Sequence, residues 1–138
     1  MILLGIDYGA RRTGVASCDP MGILASPVTV IDEANRNKLV DALCKIAREK
    51  RAEKLILGLP LRTDGTKGDK ALAVEALAET LRARSGLPVE LWDERFSSVI
   101  AHQALGAANI KAKDRRGVVD AVAAVVILQS YLDRLRRS

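Results

Sequence analysis

Histidine, cysteine and aromatic residues are scarce in this chain of 138 residues. It contains one histidine, His102, two cysteines and four aromatic side chains. A single histidine excludes most metal chemistry based on imidazole, and the two cysteines have no spacing that would complete a zinc site with it. Any metal site in this protein must therefore be built from carboxylates.

The chain also lacks a signal peptide and any apolar run near the length of a transmembrane helix. Two widely spaced cysteines do not fit a disulfide framework, so we expect a protein of the reducing cytoplasm without a membrane partner. With 49% hydrophobic residues, a chain of this length can bury roughly two thirds of its unfolded surface. We predict one domain that spans residues 1–138.

The chain has fewer acidic than basic side chains, and most of the difference lies in its last 28 residues. The net charge is +5, and residues 111–138 carry seven basic and three acidic side chains, whereas residues 1–110 are nearly neutral. A basic segment beside a neutral body predicts a polyanionic partner, and nucleic acid fits better than a membrane because no basic amphipathic helix with aromatic anchors is present. The alternative is that the charge only keeps the protein soluble.

The hydrophobic pattern changes from strand-like to helical along the chain. Short connections between the first three strands favour antiparallel pairing, and the later alternation of strands and helices favours parallel pairing. We predict an α/β fold in which a mixed five-stranded sheet, three antiparallel then two parallel strands, is flanked by helices. The predicted strands are 2–6, 14–18, 23–31, 54–59 and 88–92, and the predicted helices are 35–51, about 70–84, 97 or 98 to 108, and 117 to about 136, after a basic loop at 109–116.

Three acids are candidates for chemistry. Asp7 ends the first predicted strand, Glu94 follows the fifth, and Asp120 lies in the first turn of the last helix within a stretch too apolar for a solvated face. Ligands bind outside the carboxyl ends of strands in open α/β sheets. Carboxylates without histidine suit Mg²⁺ or Mn²⁺, and two such ions about 3.5–4 Å apart can activate water and stabilise the leaving oxygen of a phosphodiester.

Each acid also has a simpler interpretation. Asp7 can order the turn before Gly9, Glu94 can pair with Arg95 at the surface, and Asp120 can favour the positive end of its helix. Taken one at a time, these structural roles are the commoner ones. The buried setting predicted for Asp120 is the exception, because an acid there needs a partner.

Four motifs resemble a known family in the order in which they occur. They are GIDYGARRTGVA at 5–16, GLP with DGT at 58–66, DERFSS at 93–98, and DAVAAVVILQSYL at 120–132. Together they resemble the YqgF/RuvX family, whose members are described as Holliday-junction-resolvase-like proteins or as candidate pre-16S rRNA nucleases. The resemblance spans nearly the whole chain, with FSS where LTT is common and Arg116 before Gly117 where lysine is usual.

The resemblance implies an RNase H-like fold and a metal-dependent endonuclease that hydrolyses phosphodiesters of structured nucleic acid. The implied substrates are precursor 16S rRNA, cut at its 5′ end, and branched DNA such as Holliday junctions. The implied catalytic and metal-binding residues are Asp7, Glu94 and Asp120, with Mg²⁺ or Mn²⁺ in a two-metal site. Asp93 is the second choice for the position of Glu94, because adjacent strand residues point to opposite sides.

Basic side chains surround the proposed metal edge and can hold phosphates, and the alternative for each is a solvated charge. Four aromatics are too few for an extended stacking platform. Tyr8 and Phe96 flank proposed ligands and could touch a base, but we expect Phe96 and Trp92 to pack in the core. His102 is expected to be structural, and Asp64 has no assigned role. The predicted nucleic-acid-binding residues are Arg11, Arg12, Arg95, Lys111, Lys113, Arg115 and Arg116.

Two other functions compete with a nuclease. A non-catalytic nucleic-acid-binding module in ribosome maturation or transcription would keep the basic segment without needing the three acids. The strand followed by Asp-x-Gly also resembles the phosphate-binding turn of actin-like ATPases and sugar kinases, but that fold needs two lobes and this chain supplies one. Symmetric cutting of a two-fold junction would favour a homodimer.

Overall fold

The computed structural model describes the backbone of residues 1–96 and 112–137, and the side chains of residues 1–96 and 121–137. Its elements follow the predicted order closely. They are β1 (Leu3–Asp7), β2 (Arg12–Cys18), β3 (Ala25–Asp32), α1 (Arg36–Lys50), β4 (Lys54–Leu59), α2 (Asp69–Ser85), β5 (Val89–Asp93), a 3₁₀ turn (Glu94–Phe96) and α3 (Ala112–Arg137).

The sheet has the predicted mixture of directions. Its five strands lie in the order β3-β2-β1-β4-β5. β2 is antiparallel to both β1 and β3, whereas β1 pairs in parallel with β4, and β4 with β5. The carboxyl ends of β1, β4 and β5 therefore meet at one edge of the sheet.

Helices cover both faces of this sheet, as the alternation of side chains along β1 requires. Leu4 and Ile6 belong to the core under α1 and α2, and Leu3 belongs to the core under α3. Val74, Leu77 and Leu81 of α2 are in the first core, and so are Leu39 and Leu43 of α1. Gly5 and Asp7 share the face of Leu3, and this face lies under α3.

The last helix begins earlier than predicted. The prediction of a basic loop at 109–116 was wrong from Ala112 onward, because Lys113, Arg115 and Arg116 are helical. A glycine inside a long helix costs only about 1 kcal/mol, so Gly117 does not delay the start. Asp120 consequently lies more than two turns inside the helix rather than in its first turn. Lys111, His102 and the predicted helix from Ser97 or Ser98 lie outside the described residues.

α3 runs antiparallel to β1 and β4. Near the start of β4, Lys54 Nζ donates 2.8 Å hydrogen bonds to Tyr131 Oη and to Glu90 Oε1, and these bonds raise the pKa of Lys54, the Glu90 bond most. Nearer the end of β4, Ile127 Cδ1 approaches Gly58. Going toward its N-terminus, α3 therefore leads toward the carboxyl edge. Among the described residues, no helix is long and apolar enough to cross a membrane.

Gly5 sets how closely α3 approaches the sheet. A Cβ atom at this position would lie 2.6 Å from Leu128 Cβ and 2.9 Å from the carbonyl oxygen of Ala124. Those atoms belong to or adjoin the helix backbone, so no side-chain rotation can relieve the overlap. Only glycine permits this contact between β1 and α3.

We expect Gly5→Ala to lower the free energy of unfolding by about 1–3 kcal/mol, as overpacked cores do. Replacing glycine within a strand otherwise favours folding through backbone entropy, so a loss reports the steric overlap. Urea denaturation of both proteins measures the change. A variant as stable as the parent would contradict this account of the packing between β1 and α3.

Candidate active site

The candidate site lies at the carboxyl edge where three parallel strands end. Asp7 is the last residue of β1, and Glu94 follows directly after β5. Between them lies β4, with Leu57 in register with Ile6 and Leu59 in register with Asp93. Two acids that are far apart in the sequence thus reach the same edge from strands on either side of β4.

The carboxyl groups of Asp7 and Glu94 are in hydrogen-bond contact. The contact crosses β4 at Gly58, where a Cβ atom would lie 3.0 Å from Glu94 Cγ and 3.1 Å from its Cδ. The missing side chain at residue 58 is what leaves room for the Glu94 carboxyl group. Gly58 lies within one of the four sequence motifs. Its role could not be predicted, because nothing in the neighbouring sequence indicates which side chain crosses it.

Burial is the main cause that raises the pKa of Glu94, and the nearby negative charge of Asp93 raises it further. The positive charge of Lys70 and the hydrogen bond with Asp7 act in the opposite direction. Lys70, in the first turn of α2, was not among the predicted site residues. Two carboxyl groups in contact favour sharing a proton or a cation, because each negative charge disfavours the other.

The carboxylate of Asp93 pairs with Arg95. Arg95 Nε donates to its two carboxylate oxygens at 3.1 and 2.9 Å, and Arg95 Nη2 donates at 2.7 Å. These hydrogen bonds are the main cause that holds the pKa of Asp93 below its ordinary value. The ion pair expected between Glu94 and Arg95 thus forms with Asp93, and of the two adjacent acids Glu94 is the one that reaches Asp7.

The loop from Leu61 to Gly68 packs beside Arg95. Asp64 orders this loop, since its Oδ1 accepts hydrogen bonds from the backbone N–H of Thr66 at 2.9 Å and from the Thr66 hydroxyl at 2.6 Å. Arg95 Nη1 lies 3.4 Å from the carbonyl oxygen of Thr63. Asp64 therefore has a structural role in a turn next to the site.

The predicted phosphate-binding residues that the structure describes differ in position and in their partners. Arg11 lies in the connection from Asp7 to β2 and Arg12 is the first residue of β2, on the same edge as the acids. Arg11 is 80% exposed and its 3.5 Å pair with Asp32 is of the weak surface kind. The guanidinium of Arg95 is largely engaged by Asp93.

Asp120 is located through its helix. Ala124, which is one turn further along α3, is buried in the core under this helix. Helical spacing sets position 120 on the same stripe as Ala124, one turn closer to the carboxyl edge. Within the side chains that the structure describes, no three histidine, cysteine, aspartate or glutamate residues are grouped to hold a metal ion; Asp7 and Glu94 form a pair.

A family model described as RuvX, Holliday junction resolvase, matches residues 1–134. The chain belongs to the RuvX family. A relative from Syntrophus aciditrophicus, named "Putative pre-16S rRNA nuclease", is 40% identical over 135 residues, which are 98% of this chain and 90% of the relative. The resemblance seen in the sequence motifs is confirmed.

Solved structures confirm the predicted RNase H-like fold of this RuvX-family chain. RuvC from T. thermophilus, in complex with a Holliday junction substrate, superposes with a TM-score of 0.65 at 14% identity, covering 100% of this chain and 96% of that one. A ROK hexokinase from Thermus thermophilus has a TM-score of 0.50 at 23% identity, covering 78% of this chain but only 39% of that one. The chain therefore spans less than half of that hexokinase.

The donor set of the carboxylate pair fits a divalent cation. Asp7 and Glu94 supply oxygen ligands only, which match Mg²⁺ and Mn²⁺. Their mutual repulsion gives a cation a direct energetic advantage at this point, since it relieves the cost of keeping two carboxyl groups in contact.

We expect Asp7→Asn to stabilise the metal-free protein by about 1 kcal/mol or more, because it removes one of two acids that must otherwise share a proton or hold like charges in contact. Conversely, Mn²⁺ at a hundred times its dissociation constant should stabilise the parent by about 2.7 kcal/mol and leave Asp7→Asn unchanged. Thermal unfolding in EDTA and in Mn²⁺ measures both effects.

Asp41→Asn is the matched control, since Asp41 pairs with Arg84 at the surface, away from the sheet edge. It should respond to Mn²⁺ as the parent does. Equal stabilisation of Asp7→Asn and the parent by Mn²⁺ would show that the cation binds elsewhere.

Proposed function

We propose that this protein is a divalent-metal-dependent endonuclease that hydrolyses phosphodiester bonds in structured nucleic acid. Membership of the RuvX family makes it a hydrolase that acts on nucleic acid. The observation that carries the finer proposal is the contact between the carboxyl groups of Asp7 and Glu94 at the edge where the parallel strands end. A partly buried pair of acids in contact is a setting that a bound cation stabilises.

Asp7, Glu94 and Asp120 are the residues proposed to hold the metal, as Mg²⁺ or Mn²⁺ in a two-metal site. When bound, these ions would supply an activated water and neutralise charge on the leaving oxygen. The position of Asp120 on the stripe of α3 that leads to the carboxyl edge supports its inclusion. Asp93 is left out because its carboxylate is held by Arg95.

The chain's own residues orient the substrate around this centre. Gly58 keeps the space above β4 open, so Glu94 stays directed at Asp7. Arg11 and Arg12, which follow Asp7 in the sequence, are proposed to hold phosphates of the backbone, and so are Lys111, Lys113, Arg115 and Arg116. Affinity built on such contacts falls steeply with salt.

The substrate is proposed by likeness to the relatives. Curated relatives carry the name of a pre-16S rRNA nuclease, and the RuvC structure with the same fold holds a Holliday junction. We propose precursor 16S rRNA, branched DNA, or both, in the cytoplasm. A two-fold junction would be cut most simply by a homodimer.

Cleavage of labelled four-way DNA junctions and precursor 16S rRNA tests the proposal. We expect cutting with Mg²⁺ or Mn²⁺, none with EDTA, and a loss on the order of 10²–10⁴-fold in Asp7→Asn and in Glu94→Gln. Asp41→Asn is again the matched control, because it removes a carboxylate outside the site.

Four results would count against this mechanism. Cleavage in EDTA, or undiminished cleavage by Asp7→Asn, would exclude the metal-binding role of the acids. Binding without cleavage of either substrate would instead favour a non-catalytic nucleic-acid-binding module. A loss in Asp93→Asn but not in Glu94→Gln would exchange the roles assigned to these two acids.

A further inference from the structure

A groove separates β5 and its 3₁₀ turn from the C-terminal half of α3, and the proposed mechanism does not use it. Its volume is about 220 Å³. This is below the roughly 300–1,000 Å³ of pockets for whole small molecules, and it suits a single flat group. The lining residues are Trp92, Phe96, Ser130, Asp133, Arg134 and Arg137.

One wall of the groove is an aromatic pair in a fixed orientation. Trp92 Nε1 donates a 3.1 Å hydrogen bond to Ser130 Oγ, and the indole packs edge-on against Tyr131 with ring centroids 5.5 Å apart. Phe96 tilts against Trp92 at 5.4 Å and remains 58% exposed. The expectation that Phe96 packs in the core was therefore wrong: its ring lies on an anchored tryptophan and faces solvent.

The opposite wall is positively charged. The one acid in the lining, Asp133, is neutralised by Arg136, whose Nη2 lies 2.5 Å from Asp133 Oδ1, and the same oxygen accepts from Gln129 Nε2 at 3.0 Å. Arg134 and Arg137 contribute two further positive charges to the lining. An exposed aromatic ring facing arginines is the combination that binds single-stranded nucleic acid, through base stacking and phosphate contacts.

The groove adjoins the segment that carries the candidate active site. Phe96 and Glu94 are the two ends of the same 3₁₀ turn, and from Phe96 the groove follows α3 away from the carboxyl edge. We propose that this groove binds one nucleotide of the substrate strand where it leaves the carboxyl edge, with its base stacked on Phe96 and its phosphate held by Arg134 and Arg137. This inference deepens the proposed function and rests on it.

Binding is tested without cleavage, using a single-stranded DNA or RNA oligonucleotide of about 12 nucleotides. Asp7→Asn in EDTA serves as the parent background, and fluorescence of Trp92, the chain's only tryptophan, is the readout. We expect the oligonucleotide to quench Trp92. Phe96→Leu, which keeps an apolar side chain but removes the ring, should weaken binding roughly tenfold.

Arg137→Gln provides a second variant that does not depend on the aromatic pair. It should lower the dependence of log K on log salt by about 0.7, the value for one phosphate contact on a single strand. Arg48→Gln is its matched control, since both arginines lie in the last turn of a helix and lose the same interaction with the helix dipole. The control should leave affinity and salt dependence unchanged.

The inference would be overturned if saturating oligonucleotide left Trp92 fluorescence unchanged and Phe96→Leu bound the oligonucleotide within about twofold of the affinity of its background. Equal salt dependence in Arg137→Gln and its background would also overturn it. The two proposals can fail separately. If the oligonucleotide binds and quenches Trp92 as expected but no substrate is cut, the groove proposal stands and the nuclease proposal fails. If junctions are cut while Trp92 fluorescence does not change, the nuclease proposal stands and the groove proposal fails.

Discussion

The contact between the carboxyl groups of Asp7 and Glu94 is the constraint on which the functional part of this structure depends. It requires β1 and β5 to lie on either side of β4 and to run in the same direction, so that both acids reach one edge. Glycine at residue 58 leaves room for this contact, because a Cβ atom there would lie 3.0–3.1 Å from the Glu94 side chain. A fold that brings two like charges together has a free-energy cost that a bound cation would remove.

The rest of the molecule holds this edge in place. At the opposite end of the sheet, hydrogen bonds from Lys54 tie β4 to β5 through Glu90 and to α3 through Tyr131. Gly5 allows α3 to lie directly on β1, and the helix then leads toward the acids. The Asp93–Arg95 pair fixes the end of β5, so that the next residue, Glu94, turns toward the site. Apolar packing thus sets the positions of the helices and strands, and Gly5 and Gly58 set how closely their neighbours approach the sheet.

Much of the architecture could be predicted because it follows local rules. The alternation of apolar segments with helical periodicity predicted the order of elements along the chain and the mixed pairing, and Asp7 and Glu94 were placed at strand ends by position alone. The start of α3 was missed because Gly117 looked like a helix boundary, although a helix of this length tolerates one glycine. The partner of Arg95 and the space above Gly58 could not be predicted, since both depend on contacts between residues distant in sequence. Phe96 was placed in the core because apolar character alone does not tell a buried ring from an exposed one.

The central claim is that Asp7 and Glu94 together hold a divalent cation. Anomalous diffraction from crystals soaked in Mn²⁺ tests it most directly, because it locates the ion without relying on activity or on a chosen substrate. The account predicts a peak within coordination distance, about 2.0–2.6 Å, of carboxylate oxygens from both residues. A peak on Asp93 instead, or no peak at this edge at saturating Mn²⁺, would contradict it.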